Sequence, residues 1–164
     1  MKFPPFLRLA AVGFGCLAAA SAQTVPPSPS PAPALDFGNC SSEILTSKAW
    51  KASDAGDLAS AAGYADKCIE MFSGKAVEQQ KALSAPLTVK EEIFAQWALN
   101  DVGTCYFIRG QILEKQGKSK EAAAAYKFLV ENLPFAQTWD PKGWFWKPAD
   151  AAAGRVKALE FDAL

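Results

Sequence analysis

The chain has 164 residues, with 17 basic and 17 acidic side chains, no histidine, four cysteines and five tryptophans. Balanced charge excludes a strongly basic nucleic-acid binder and an acidic disordered tail. Without histidine there is no Ser-His-Asp or Cys-His catalytic arrangement and no histidine-ligated metal.

At the N-terminus, Lys2 and Arg8 lead into an apolar stretch from Leu9 to Ala20 that ends in Ala20-Ser21-Ala22. A basic start, an apolar core of about a dozen residues and a small-x-small site describe a secretory signal peptide over residues 1–22. Cleavage after Ala22 would leave Gln23 as the new N-terminus and a periplasmic or secreted protein. The apolar run is short for a membrane span of about 20 residues. Cys16 opens a lipoprotein alternative, although Gly13 stands where such signals usually carry a leucine-like residue. Losing Lys2 and Arg8 leaves 15 basic against 17 acidic residues, a net charge of −2. That balance offers no electrostatic attraction to nucleic acid or anionic lipid. Residues 23–37 hold five of the eleven prolines, all before Ala34. The segment reads as an extended linker of polyproline II character, with a proline-rich docking ligand as the alternative.

Residues 38–164 are long enough for one domain with a real core. Alanine, lysine, glutamate, glutamine and leucine dominate, apolar residues recur at spacings of three and four, and no alternating run argues a strand. The predicted class is all-α. Tyr106, Gly110, Leu113, Gly117, Ala122, Tyr126, Leu129 and Pro134 form one spaced set; Leu45, Ala49, Ala52, Gly56, Ala61, Ala65 and Cys68 repeat it, with Ser73 in the proline's place. Each set describes two antiparallel helices joined at a glycine turn, Gly56-Asp57 or Gly117-Lys118. Small residues at Ala49, Gly110, Ala61 and Ala122 would permit close helix approach, and Pro134 would end the second helix.

Between the sets, Ala76–Leu83 is predicted as a short helix before Pro86. Thr88 and Glu91 form a capping box. Ile93, Phe94, Trp97, Ala98 and Val102 continue an apolar stripe that either joins the helix of Tyr106 or breaks near Asn100-Asp101. After Pro134, Asp140-Pro141-Lys142-Gly143 has the residues of a type I turn. Ala149, Ala152, Val156 and Leu159 mark a last helix, predicted to cap the apolar face left open by the second pair.

At these residues the chain resembles the tetratricopeptide repeat, over residues 103–136 and, with fewer aromatic matches, over 42–75. The two turn glycines are 61 residues apart, so an inserted segment separates the pairs. The run from Asn100 to Ala152 is also similar to small exported tetratricopeptide proteins of Gram-negative bacteria, some labelled beta-glucanase precursor. The resemblance implies a partner-binding face on the first helix of each pair. That face is Glu43, Thr46, Trp50 and Ser53, then Thr104, Phe107, Gln111, Glu114 and Lys115. Trp50 and Phe107 are either groove hot spots or covered by the insert or the C-terminal helix. Arg109 replaces an apolar residue of the repeat; it either meets an acidic partner or pairs with Asp101 or Glu114.

Trp139, Trp144, Phe145 and Trp146 form an aromatic segment. It is either a platform for a sugar or an apolar peptide, or a set of rings packed over the end of the bundle. Cys40, Cys68 and Cys105 remain after cleavage; they either form one disulfide in an oxidising compartment, with Cys40–Cys68 and Cys68–Cys105 as candidate pairs, or are small buried core residues, as Cys68 at an alanine place of the repeat suggests. No histidine is present to activate a thiol, and no carboxylate pair shows a spacing that converges on a cleft. The expectation is an exported protein–protein interaction module without catalytic activity, cofactor or metal. A carbohydrate-linked role through the aromatic segment and self-association are the alternatives.

Overall fold

A computed structural model describes residues 34–161; the expected signal peptide and residues 23–33 of the expected linker lie outside the described residues. Among the described residues there are six helices: α1 (Ser42–Asp54), α2 (Leu58–Lys81), α3 (Lys90–Ala95), α4 (Trp97–Lys115), α5 (Ser119–Asn132) and α6 (Pro148–Phe161). Two short strands, β1 (Thr138–Asp140) and β2 (Trp144–Trp146), form an antiparallel pair between α5 and α6. The protein is largely helical, and the strand pair corrects the expectation of helices alone. Strands of three residues are too short for alternation to register in the sequence.

Both glycine turns are built the same way. Gly56 (φ +78°) and Gly117 (φ +72°) take the left-handed conformation. Asp57 N–H donates to the Ala52 carbonyl and Gly56 N–H to Ser53; Lys118 and Gly117 repeat this with Leu113 and Glu114. These paired bonds satisfy the last carbonyls of α1 and α4 and turn the chain back on itself. Ser41 caps α1 by accepting from Ile44 N–H at 3.3 Å, and Asp57 caps α2 by accepting from Ser60 N–H at 3.0 Å. The last residues assigned to the linker belong with the domain. Phe37 lies edge-on to Tyr64 with ring centroids 5.9 Å apart, and Asp36 bonds Lys48 at 2.7 Å.

Three local expectations change. Ala76–Leu83 is not a separate helix; α2 runs unbroken to Lys81. Ser73 replaces the helix-ending proline and its hydroxyl donates to the Ile69 carbonyl at 2.6 Å, so the backbone continues. The capping box at Thr88 does not form. The N-cap of α3 is Val89, without a side-chain bond, one residue further on. Of the two readings of the apolar stripe, Trp97, Ala98 and Val102 do join the helix of Tyr106, and the break that separates Ile93 and Phe94 falls at Gln96 (φ −87°, ψ 39°) rather than at Asn100-Asp101. The extra length of α2 explains its place. Gln79 donates to the Ala95 carbonyl at 3.3 Å and accepts from Leu99 N–H at 2.8 Å, replacing helical bonds on both sides of the break.

The core gathers on α4, which meets α1, α2, α5 and α6. Leu45, Leu99, Val102, Ile108, Tyr126, Leu129 and Leu133 are fully buried, and so are Ala49, Ala61, Ala65 and Ala122 at the close helix contacts. A Cβ on Gly110 would stand 2.3 Å from the Tyr126 ring, and one on Gly103 2.5 Å from Ala136. Among the described residues no helix is long and apolar enough to cross a membrane.

Because the Tyr126 ring is itself fully buried, it has little room to retreat. Gly110→Ala is therefore expected to cost about 1–3 kcal/mol despite its better helix propensity. Gly154→Ala, where a Cβ meets nothing within 4 Å, should be neutral or stabilising by comparison. Urea unfolding of both variants against the wild type measures the difference.

Candidate binding groove

The residues expected on a partner-binding face and those of the aromatic segment meet in one place. A groove of about 980 Å³ is lined by α1 through Glu43, Thr46, Ser47, Trp50 and Asp54, and by α4 through Trp97, Asn100, Asp101 and Thr104. The loop and hairpin after α5 supply Gln137, Thr138, Trp139, Asp140, Pro141 and Trp146, and α3 supplies Phe94. Of the expected face, Glu43, Thr46, Trp50 and Thr104 line the groove. Ser53 is buried, and Phe107, Gln111, Glu114 and Lys115 lie outside the lining.

Polar side chains hold the far wall in place. Asn100 donates to the Ile93 carbonyl at 2.7 Å and accepts from Gln137 N–H at 2.9 Å, tying α3 and the hairpin approach to α4. The Thr104 and Thr138 hydroxyls share a 2.6 Å bond, and Thr104 also bonds the Asn100 carbonyl at 2.7 Å. Gln137 donates to the Leu87 carbonyl at 3.1 Å. Within the hairpin, Gly143 N–H donates to the Asp140 carbonyl at 2.9 Å, and Gly143 takes φ +108°. The register sets Thr138 opposite Trp146, Trp139 opposite Phe145 and Asp140 opposite Trp144.

The aromatic residues divide between packing and exposure. Trp146 meets Phe107 edge-on at 5.3 Å, and Phe107 reaches Trp50 at 6.5 Å and Tyr126 at 5.9 Å. Phe107 is thus half-buried beneath two tryptophans, forming their support rather than a free anchor. Trp139 and Phe145 pack against each other at 4.9 Å and both contact Phe94. Trp144 is 49% exposed and stands outside the groove. Lys90 lies over the Trp139 ring, its ammonium 4.4 Å from the centroid, a cation–π arrangement. Phe94 and Trp97, read from the sequence as part of an apolar stripe, are 48% and 44% exposed and belong to the wall.

Arg109 pairs with Asp66 on α2, not with Asp101 or Glu114. Those two carboxylates have other partners. Glu114 accepts from Arg155 of α6 and from the Tyr126 hydroxyl at 2.6 Å. Arg155 chiefly holds the Glu114 carboxyl below its usual range. Asp101 accepts from the Ser42 hydroxyl. Burial pushes the Asp101 carboxyl up to about 6, Ser42 pulls against this, and the Glu43 charge adds to it. Glu43, Asp54, Asp101 and Asp140 therefore share a cleft, a convergence that sequence spacing did not reveal. Among the described residues no three His, Cys, Asp or Glu side chains cluster closely enough to hold a metal ion.

All three cysteines described are free thiols. Cys68 and Cys105 are fully buried and flank the Thr46 hydroxyl, with sulfur–oxygen distances of 3.7 and 3.3 Å. Burial, then the neighbouring Cys68, pushes the Cys105 thiol well up, which suppresses the nucleophilic thiolate. Cys40 is half-buried and has φ +58° just before α1.

No family model matches the chain, and no match was found among curated proteins or solved structures.

The Asp101 carboxyl carries a pH signature. Its folded value lies above its ordinary value of 3.8, so the folded chain binds more protons than the unfolded chain across roughly pH 4–6. Stability attributable to Asp101 falls as pH rises through that window, by on the order of 2–3 kcal/mol. Asp101→Asn should unfold at a higher urea concentration than wild type near pH 7.5, with the difference shrinking towards about pH 4. Glu114 works in the opposite sense: its lowered value favours folding above the usual carboxylate range and is lost on acidification.

Proposed function

We propose that the protein is an exported, tetratricopeptide-like interaction module that binds a protein segment in the groove between α1, α4 and the aromatic hairpin, and has no catalytic activity of its own. The observation that carries the reading is the convergence of Trp50, Trp97, Trp139 and Trp146 with Thr46 and Thr104 on one open cleft. Rings already held by Phe107, Phe94 and Phe145 lose little freedom on binding, the condition under which aromatic contacts contribute most to affinity. The basic start and apolar core before Ala22 support export. The two helix pairs, each closed by a glycine turn, support the repeat-like reading.

Carbohydrate binding or hydrolysis is the second reading, favoured by one specific observation. Asp101, raised to about 6 and beside Glu43, is a carboxyl able to donate a proton in a tryptophan-lined cleft, as a glycosidase general acid must. A sugar ring would stack on Trp139 or Trp146.

Affinity capture from an envelope fraction should recover partners with wild type that are reduced at least about tenfold with Trp50→Ala or Phe107→Ala. Unchanged recovery with both variants would remove the groove from the reading. Tryptophan fluorescence titrated with soluble glucans should stay flat, and release of reducing sugar, lost in Asp101→Asn, would overturn the non-enzymatic assignment.

A further inference from the structure

The groove carries four carboxylates, Glu43, Asp54, Asp101 and Asp140, and among the described residues no lysine or arginine lines it. Its apolar content is almost wholly aromatic: Trp50, Phe94, Trp97, Trp139 and Trp146. Ring faces attract cations through their quadrupoles, and carboxylates attract them directly. The two kinds of group therefore favour the same ligand charge. Lys90 shows the mode at the rim, with its ammonium 4.4 Å from the Trp139 centroid and 5.7 Å from that of Phe94.

The carboxylates are also spread out. Glu43 and Asp54 stand at opposite ends of α1, about 16 Å apart along the helix axis at 1.5 Å per residue. An extended polypeptide covers that distance in roughly five residues. A single small cation would reach one end only.

We propose that the groove binds an extended basic polypeptide segment, whose lysine or arginine side chains lie on the tryptophan faces and against Glu43, Asp54 and Asp140. The inference rests on the groove being a protein-binding surface and adds the chemistry of the bound segment. Asp101 is engaged by the Ser42 hydroxyl and is not assigned to the ligand, whereas Asp140 accepts from Lys142 N–H at 2.8 Å through one oxygen and offers the other. Lys90 is the resident cation that an incoming side chain displaces from Trp139.

The test uses the mature chain and three peptides of equal length: alternating lysine and serine, alternating glutamate and serine, and glycine with serine. Binding is read by tryptophan fluorescence and calorimetry at low and high ionic strength. The lysine peptide should bind at least about tenfold more tightly than the other two and weaken about tenfold at high salt. Glu43→Gln with Asp54→Asn and Asp140→Asn, the first two exposed and the third half-buried, should abolish the preference while circular dichroism stays unchanged. Glu121→Gln with Glu131→Gln, on exposed positions of α5, should leave it within about twofold. Lys90→Ala should tighten lysine-peptide binding.

Equal binding of the three peptides, or a triple variant that keeps the preference, overturns the proposal. So does spermine displacing the lysine peptide at equal charge concentration, which would mark a small-cation site. Envelope partners captured through Trp50 while the lysine peptide fails to bind would leave the interaction module standing and remove only its basic ligand. Loss of capture together with a response to soluble glucan would remove both.

Discussion

Helix α4 is packed on by α1, α2, α5 and α6, and nearly everything else in the domain follows from how it tolerates so many neighbours. A helix enclosed in this way cannot carry large side chains on every face, because interiors are close-packed and adjacent backbones must approach. Hence Ala98, Gly103, Thr104, Cys105 and Gly110 alternate along it with Leu99, Val102, Ile108 and Ile112. The Tyr126 ring occupies the space that a side chain at position 110 would need, and Ala136 does so at position 103. Tyr126 in turn sends its hydroxyl to Glu114, which Arg155 of α6 also engages. A single small residue thus sets the depth of α5 and, through one shared carboxylate, helps seat α6.

The open side of α4 has a different character. There the helix does not meet a large apolar surface but a lattice of short polar bonds: Asn100 to Ile93 and Gln137, and Thr104 to Thr138. Polar networks of this part-buried kind fix geometry when every member is satisfied, and among the described residues no buried side-chain nitrogen or oxygen lacks a partner. The network suspends the aromatic hairpin beside α1 without filling the space between them. The same construction separates two kinds of carboxylate: Glu114 is drawn down by Arg155, whereas Asp101 is raised by burial and left close to Glu43. Opposite pH responses therefore sit on one helix, about three and a half turns apart.

Much of the helical framework is visible in residue spacing. Gly56 and Gly117 sit where the chain must turn because only glycine takes a left-handed backbone without strain. Ala49, Ala61, Ala65 and Ala122 are small because helices cross there, and all are fully buried. The groove is less legible. Trp50 and Thr104 were readable as members of a face, and Trp139 and Trp146 as an aromatic cluster. Their meeting depends on a hairpin of two three-residue strands, too short to leave a periodic signal. Arg109 illustrates the same limit: Asp101 and Glu114 are close in sequence, yet Asp66 on the neighbouring α2 is its partner.

Local chemistry by itself determined a helical protein, the turns closing its two helix pairs, the small residues at their crossings and a segment rich in aromatic rings. These are properties of spacing and backbone freedom, expressed within a few residues of their cause. Tertiary structure alone decided the end of α2 at Lys81, the break at Gln96 and the grouping of four carboxylates with the tryptophans. The cause is that Gln79, Asn100 and Asp101 are partnered across the fold, and no nearest-neighbour pattern encodes which distant backbone group or hydroxyl a polar side chain will meet.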